Sequence, residues 1–302
     1  MSQQAKMHRH GFLPLGCLVT VGSLLGVTAN LVKVAHRFDL PLLGFVFWSV
    51  LFAGLILVLI SALARQAPRL SCHHIEYYLF SGLVSIGLPN ALSFSAVPHV
   101  GVSFISLATA FPPLVTYLLA LGMHMERYQW QRALGVFCGL AGALALALSQ
   151  SWREPASWIW VLAAFAAPIL LSIGNIYRTR RWPAGATSLS LAPGMLLGGA
   201  LVLFGAAWLS STSLGFQAYD RAALLLLACQ SLIIAITYIL FFFLQYVAGP
   251  VYLSQIGSVA AIVGSLIAIL VLGESASYVL LIAAIFILVG VFLVNRARPA
   301  GK

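Results

Sequence analysis

His8-x-His10 and His73-His74 are the closest histidine spacings in the chain, and they are the first places to look for a metal ligand or a proton carrier. Without carboxylate or cysteine partners that complete a coordination set, both pairs read as solvated tail or loop residues. His36, His99 and His124 fall near the ends of apolar stretches, and His99, beside Pro98, is placed to sense pH at a membrane mouth. The six acids are Asp39, Glu76, Glu126, Glu154, Asp220 and Glu274. None lies in the middle of an apolar stretch, so a proton relay built on an intramembrane carboxylate has no obvious member. Cys17, Cys72, Cys138 and Cys229 are far apart and show no redox or metal spacing. His-Glu-x-x-His, Gly-x-Ser-x-Gly and aspartate-rich diphosphate motifs are absent. No metal, cofactor or catalytic residue is therefore expected. A membrane-embedded enzyme stays as an alternative, as does a structural or assembly subunit, which uncharged helices rich in small residues would also suit.

The chain is 62% hydrophobic and 7% charged, with a mean hydropathy of +1.03, whereas a soluble domain carries about 25% charged residues. Its net charge of +10 does not point to nucleic acid, because the basic residues are scattered at helix ends without interleaved aromatics. Two uncharged runs stand out, Tyr77 to Met125 (49 residues) and Ala222 to Gly273 (52 residues). About 20 apolar residues cross a bilayer as a helix, and hydrocarbon leaves every backbone polar group to be satisfied within the segment. Each run therefore reads as two helices joined by a tight turn, at Pro98-His99 in the first and at Gly249-Pro250 in the second.

Six further apolar segments, at about 11 to 32, 40 to 64, 133 to 152, 155 to 177, 187 to 209 and 275 to 295, bring the expectation to ten spans. The first resembles a signal peptide but lacks a convincing cleavage site, so it is read as a retained helix. With the N-terminus inside, Lys6, Arg9, Arg65, Arg69, Arg127, Arg132, Arg178, Arg180, Arg181, Arg296, Arg298 and Lys302 fall on the inner side. Lys33, Arg37, Arg153 and Arg221 fall on the outer. That bias predicts cytoplasmic tails at 1–10 and 296–302 and a multi-pass protein of the inner, or plasma, membrane.

An offset of 148 residues pairs Ser106 with Ser254, Val115 with Val263, Leu118 with Leu266, Ala120 with Ala268, Glu126 with Glu274, Leu140 with Leu288 and Gly142 with Gly290. Each half then has five spans, and an odd number inserts the second copy upside down. The order of features in Ala96-Val97-Pro98-His99-Val100-Gly101-Val102-Ser103, Phe111-Pro112-Pro113-Leu114 and Met125-Glu126-Arg127, followed by Gly273-Glu274 and Gly290, resembles the EamA-type proteins of the drug/metabolite transporter superfamily. Gly26 and Lys33 match that family's first-span pattern, with Leu25 where tryptophan is usual. Trp48 and Ala260 stand where arginine and proline are common.

The resemblance implies an all-α integral membrane protein of ten transmembrane helices arranged as two inverted five-helix repeats, residues 11–152 and 155–295. It also implies a transporter of small organic metabolites such as amino acids, working in the direction of export, with a cavity lined by the first, third, fourth, sixth, eighth and ninth spans. On those spans Asn30, Lys33, Asn90, Thr109, Asn175, Tyr177, Gln245 and Gln255 are the candidate substrate-binding residues, with Gln230 as a further intramembrane polar group. Phe94, Tyr238, Phe242 and Tyr252, with Phe104, would form an aromatic wall. Each polar residue equally suits hydrogen bonding between helices, and Lys33 equally suits snorkelling to the outer interface. Pro89 makes Asn90 the favoured member by disturbing the backbone beside it. Glu126 and Glu274 are expected to cap the helices that follow them, and Pro112-Pro113 and Pro168 to kink helix interiors. Small residues four apart, such as Gly22 with Gly26 and Gly194 with Gly198, read as helix-packing seams. The expected partners are a small-molecule solute and the lipid bilayer, with a homodimer left open.

Overall fold

A computed structural model describes residues 12–38, 40–100, 104–105, 108–151, 158–215, 220–271 and 278–296. Every element among them is helical. In chain order these are α1 (Phe12–Arg37), α2 (Leu42–Leu63), α3 (Cys72–Gly82), a π turn (Leu83–Gly87), α4 (Leu88–Val100) and α5 (Pro112–Gly122). Then come α6 (Trp130–Ser151), α7 (Trp158–Arg180), α8 (Ser188–Leu209), α9 (Arg221–Ser254), α10 (Ile256–Leu270) and α11 (Tyr278–Arg296). Six of the described helical stretches are long and apolar enough to cross a membrane, and Pro112–Gly122 is a shorter apolar helix.

The breaks follow local chemistry. Gly249 has φ 79° and ψ 178°, a conformation that glycine adopts without a Cβ penalty. It divides the 34 residues of α9 beside Pro250, at the turn expected from the sequence. Pro98 is different, because α4 continues through it to Val100. A proline this close to a helix end costs one hydrogen bond without ending the helix. The first turn is therefore not at Pro98-His99 but lies beyond Val100. Pro112-Pro113 also departs from expectation. The chain turns at Thr109-Ala110 and the two prolines occupy the first positions of α5, where a missing N–H is harmless and the fixed φ is already helical. Pro168 does sit inside α7.

Two helix starts are capped by side chains. Thr187 and Ser190 form a reciprocal capping box at α8, and Asp220 Oδ1 accepts from Ala223 N at 2.8 Å at α9. Glu126 caps nothing among the described bonds. Its carboxylate instead accepts from Arg132 at 2.9 Å, and that guanidinium lies over the Tyr117 ring at 5.2 Å. Glu274 and Glu154 lie outside the described residues.

Small residues let the helices touch backbone to backbone. A Cβ on Gly26 would come within 2.9 Å of Gly264 N, one on Gly82 would meet the backbone of Gly198-Gly199, and one on Gly290 would lie 2.6 Å from Gly135 O. The resulting packing places α8 on α2 and α3, α9 on α1 and α2, α4 and α5 on α7, α10 on α1, and α11 on α6. The largest core cluster joins α2, α3, α8 and α9 through residues such as Phe45, Leu57, Tyr77, Met195 and Phe242. Each of these contacts crosses between the first and second halves of the chain.

Gly82→Ala is expected to lower the thermal unfolding midpoint, at a cost of about 1–3 kcal/mol for overpacking. Gly205→Ala, where a Cβ meets nothing within 4 Å, should leave the midpoint unchanged or slightly raised. Thermal unfolding of the two purified variants in detergent checks the difference.

Candidate functional site

Arg178 lies on α7, two residues from its end, and has no solvent exposure at all. The sequence assigns it to an inner loop with Arg180 and Arg181; the structure corrects this, because α7 runs to Arg180 and turns Arg178 inward. Removing a guanidinium from water costs several kcal/mol unless partners replace its hydration. Those partners come from several helices. Nε donates to Gln245 Oε1 of α9 at 2.8 Å, and one terminal nitrogen donates to Asn175 Oδ1 one turn back on α7 at 2.6 Å. The other terminal nitrogen donates to Ser85 Oγ and approaches Met195 Sδ of α8 at 3.9 Å. The guanidinium carbon lies 4.9 Å from the Phe241 ring centroid, a cation–π distance.

The π turn explains Ser85. Pro89 has no N–H to return to the carbonyl four residues earlier, and Leu88 N donates to Leu83 O across a wider turn. π turns of this kind concentrate at functional positions. Gly174 completes the fit, since a Cβ there would strike Ser85 Oγ and lie 3.1 Å from an Arg178 terminal nitrogen. Gln245 is itself fixed, because Nε2 donates to Asn175 O at 3.0 Å and to Thr179 Oγ1 at 3.1 Å.

No acid among the described residues neutralises the charge. Among the described residues, Glu76 pairs with Arg181 at 3.0 Å, Glu126 with Arg132 at 2.9 Å, and Asp220 caps α9. All of Arg178's oxygen partners are neutral. Tyr77, whose phenol lies within electrostatic reach of the guanidinium, is fully buried, and its hydroxyl has no hydrogen-bond partner. One turn further along α7, Arg181 holds Glu76 of α3, and Tyr177 OH donates to the same carboxylate at 3.3 Å. The hydrogen bond between them pushes the Arg181 pKa up and pulls the Glu76 pKa down, so both groups of this exposed pair are charged at neutral pH.

Of the candidate residues, Asn175 and Gln245 are drawn into this cluster, and Tyr177 lies at its edge. Phe94, Tyr238 and Phe242 pack in the large core cluster beside it. The rest lie elsewhere, so the expected aromatic wall is divided. Tyr252 packs with Leu18, Leu244 and Ile256, and Phe104 with Val161 and Ala164. Asn30 donates to Gly26 O at 2.9 Å and Gly264 O at 3.0 Å, tying α1 to α10. Asn90 donates to Ile86 O at 2.7 Å within its own helix. Gln230 reaches Thr28 O at 3.4 Å. Thr109 sits in the turn before α5, Gln255 at the junction of α9 and α10, and Lys33 half-buried on α1. His99 stacks on Trp160 at 4.1 Å. No group of three or more possible metal ligands occurs among the described residues.

Arg178, Ser85 and Tyr77 are absent from the sequence-based candidates, yet a signal for Arg178 existed. The 148-residue offset that pairs Glu126 with Glu274 also pairs Gly26 with Gly174, Asn30 with Arg178 and Lys33 with Arg181.

Long apolar helices closed around a hydrogen-bonded guanidinium define a multi-pass membrane protein. Residues 14–148 match the model of the EamA-like transporter family, a likeness over rather less than half of the chain that is consistent with the drug/metabolite transporter superfamily. The family's members are transporters, not enzymes. No curated protein matches the chain. A solved structure titled "Crystal structure of protein" covers 92% of this chain and 98% of its own at a TM-score of 0.68 and 18% identity, a likeness of fold alone.

Gln245→Leu removes the acceptor for Arg178 Nε and should cost about 2–3 kcal/mol, the range for a buried hydrogen bond to a charge. Gln245→Glu supplies a counter-charge and should unfold at a higher temperature than the parent. Thermal melts in detergent compare the three proteins.

Proposed function

We propose that the protein moves a small organic metabolite, an amino acid or related solute, outward across the cytoplasmic membrane by alternating access between two inverted five-span halves. The observation that carries this reading is the polar cluster around Arg178. It is buried among helices long and apolar enough to cross a membrane and assembled from both halves, Ser85 from the first and Asn175, Arg178, Met195 and Gln245 from the second. Ionisable groups in transmembrane segments are costly and mark substrate pathways by default.

The helix contacts support the two-fold arrangement. With the π turn joining α3 and α4 into the third span, and the Gly249 kink dividing α9 between the eighth and ninth, exchanging the halves maps each major contact onto another. Third on sixth corresponds to eighth on first, fourth on sixth to ninth on first, and second on eighth to seventh on third. Second on seventh and fifth on tenth map onto themselves. A Cβ on Gly257 would strike the carbonyl of Thr109, and these two positions are also related by the 148-residue offset. Residues that are equivalent and in contact belong on the symmetry axis. Five spans per half would leave both tails on one side, and the distribution of basic residues supports the cytoplasm for that side.

Purified protein sealed into vesicles and loaded in turn with each proteinogenic amino acid is expected to release at least one of them faster than protein-free vesicles do. If every amino acid escapes at the protein-free rate, the reading falls.

A further inference from the structure

Arg178 has a full positive charge, no exposure, and only neutral oxygen partners among the described residues. A guanidinium has five N–H donors, and the four contacts given above leave one hydrogen on the nitrogen that binds Asn175 without an acceptor. Tyr77 adds a second buried donor with nothing to donate to. Two donors with spare capacity, one of them cationic, lie close together where water does not reach. Such an arrangement lacks an oxyanion.

Resting on the transport reading above, we infer that this is the recognition site for a carboxylate group of the solute, with Arg178 as its counter-charge and Tyr77 as a second donor. A single guanidinium matches a monoanion, and its planar fork matches the two oxygens of a carboxylate. Phosphate would present up to two charges to one cation, and Arg181, three residues further on, is engaged with Glu76 at 3.0 Å. Ser85 and Asn175 hold the guanidinium when the site is empty and yield an N–H each to the incoming oxygens. Gln245, itself fixed by Asn175 and Thr179, keeps Nε in place. Access requires α3 to part from α7, which breaks the exposed Glu76–Arg181 pair one turn beyond the site.

The stability sign separates this role from a structural one. A buried charge that serves only the fold is missed when removed, whereas one awaiting a ligand destabilises the empty protein. Protein in vesicles of phosphatidylcholine alone, so that no lipid headgroup carries net negative charge, is tested with acetate, butyrate, hexanoate and L-leucine. Butyramide, hexanamide and inorganic phosphate serve as comparisons. Carboxylates are expected to raise the unfolding temperature and amides are not. Arg178→Gln should unfold at a higher temperature than the parent without solute and lose the carboxylate response. Tyr77→Phe should keep the fold and bind carboxylates about tenfold to a hundredfold more weakly, the loss of one hydrogen bond to a charge. Gln245→Glu, with a carboxylate built in, should not respond to added ones. Equal stabilisation by amides, stronger stabilisation by phosphate, or a lower unfolding temperature for Arg178→Gln overturns the assignment. Carboxylate binding without release from loaded vesicles would keep this site and remove the transport reading; release with no preference for carboxylate over amide does the reverse.

Discussion

Hydrocarbon offers no hydrogen-bond partner, so a polar group carried into it must bring its own. For the backbone, helix formation meets that demand almost everywhere, and the exceptions define the molecule. Pro89 removes one donor from the third span and the helix widens into the π turn Leu83–Gly87, which brings Ser85 to Arg178. Gly249 takes a positive φ and divides one long helical stretch at a kink. The same demand applied to a side chain draws Gln245, Asn175 and Ser85 around one guanidinium. Helices from both halves of the chain are held in register by the solvation of a single charge.

Beside the large apolar cluster that joins the halves, some contacts between them are made where the side chain is only hydrogen: Gly26 against Gly264, Gly82 against Gly198-Gly199, Gly290 against Gly135 and Gly139. Lipid tails are as apolar as leucine, so burial gives no net drive between membrane helices, and close backbone contact takes its place. Contacts of this kind have flat surfaces with few interlocking side chains. Such surfaces resist pulling apart more than sliding, which suits a bundle whose third and sixth spans are joined at one end by the exposed Glu76–Arg181 pair.

Helix positions were legible in the sequence because hydropathy and length are enough to locate them, and the Gly249-Pro250 turn was legible because glycine and proline together admit few backbone conformations. Pro98 misled, since a proline near a helix end is compatible with both a turn and a continued helix. Pro112-Pro113 misled for a related reason, because the pair fits a first turn better than an interior. Asn175 and Gln245 were found as intramembrane polar residues. Arg178 was passed over because it shares a basic stretch with Arg180 and Arg181, and a rise of about 1.5 Å per residue does not reveal from composition which of three neighbours faces inward. Helical phase decides it. Asn175 and Arg178 are three apart and share a face, while Arg181 continues that line beyond the end of α7 to reach Glu76.

α1 and α7 carry the same spacing of residues with different chemistry. Gly26, Asn30 and Lys33 on α1 answer to Gly174, Arg178 and Arg181 on α7. Both glycines admit a close neighbour, so the steric role is duplicated. At the middle position the two spans diverge. Asn30 is neutral and bonds to the carbonyls of Gly26 and Gly264, a link between helices that leaves no charge to solvate. Arg178 keeps a charge that its neutral neighbours only partly satisfy. With asparagine at one of the two related positions and arginine at the other, the buried guanidinium lies where the π turn, α7 and α9 meet, and the corresponding place between α1 and α10 is closed by neutral hydrogen bonds alone.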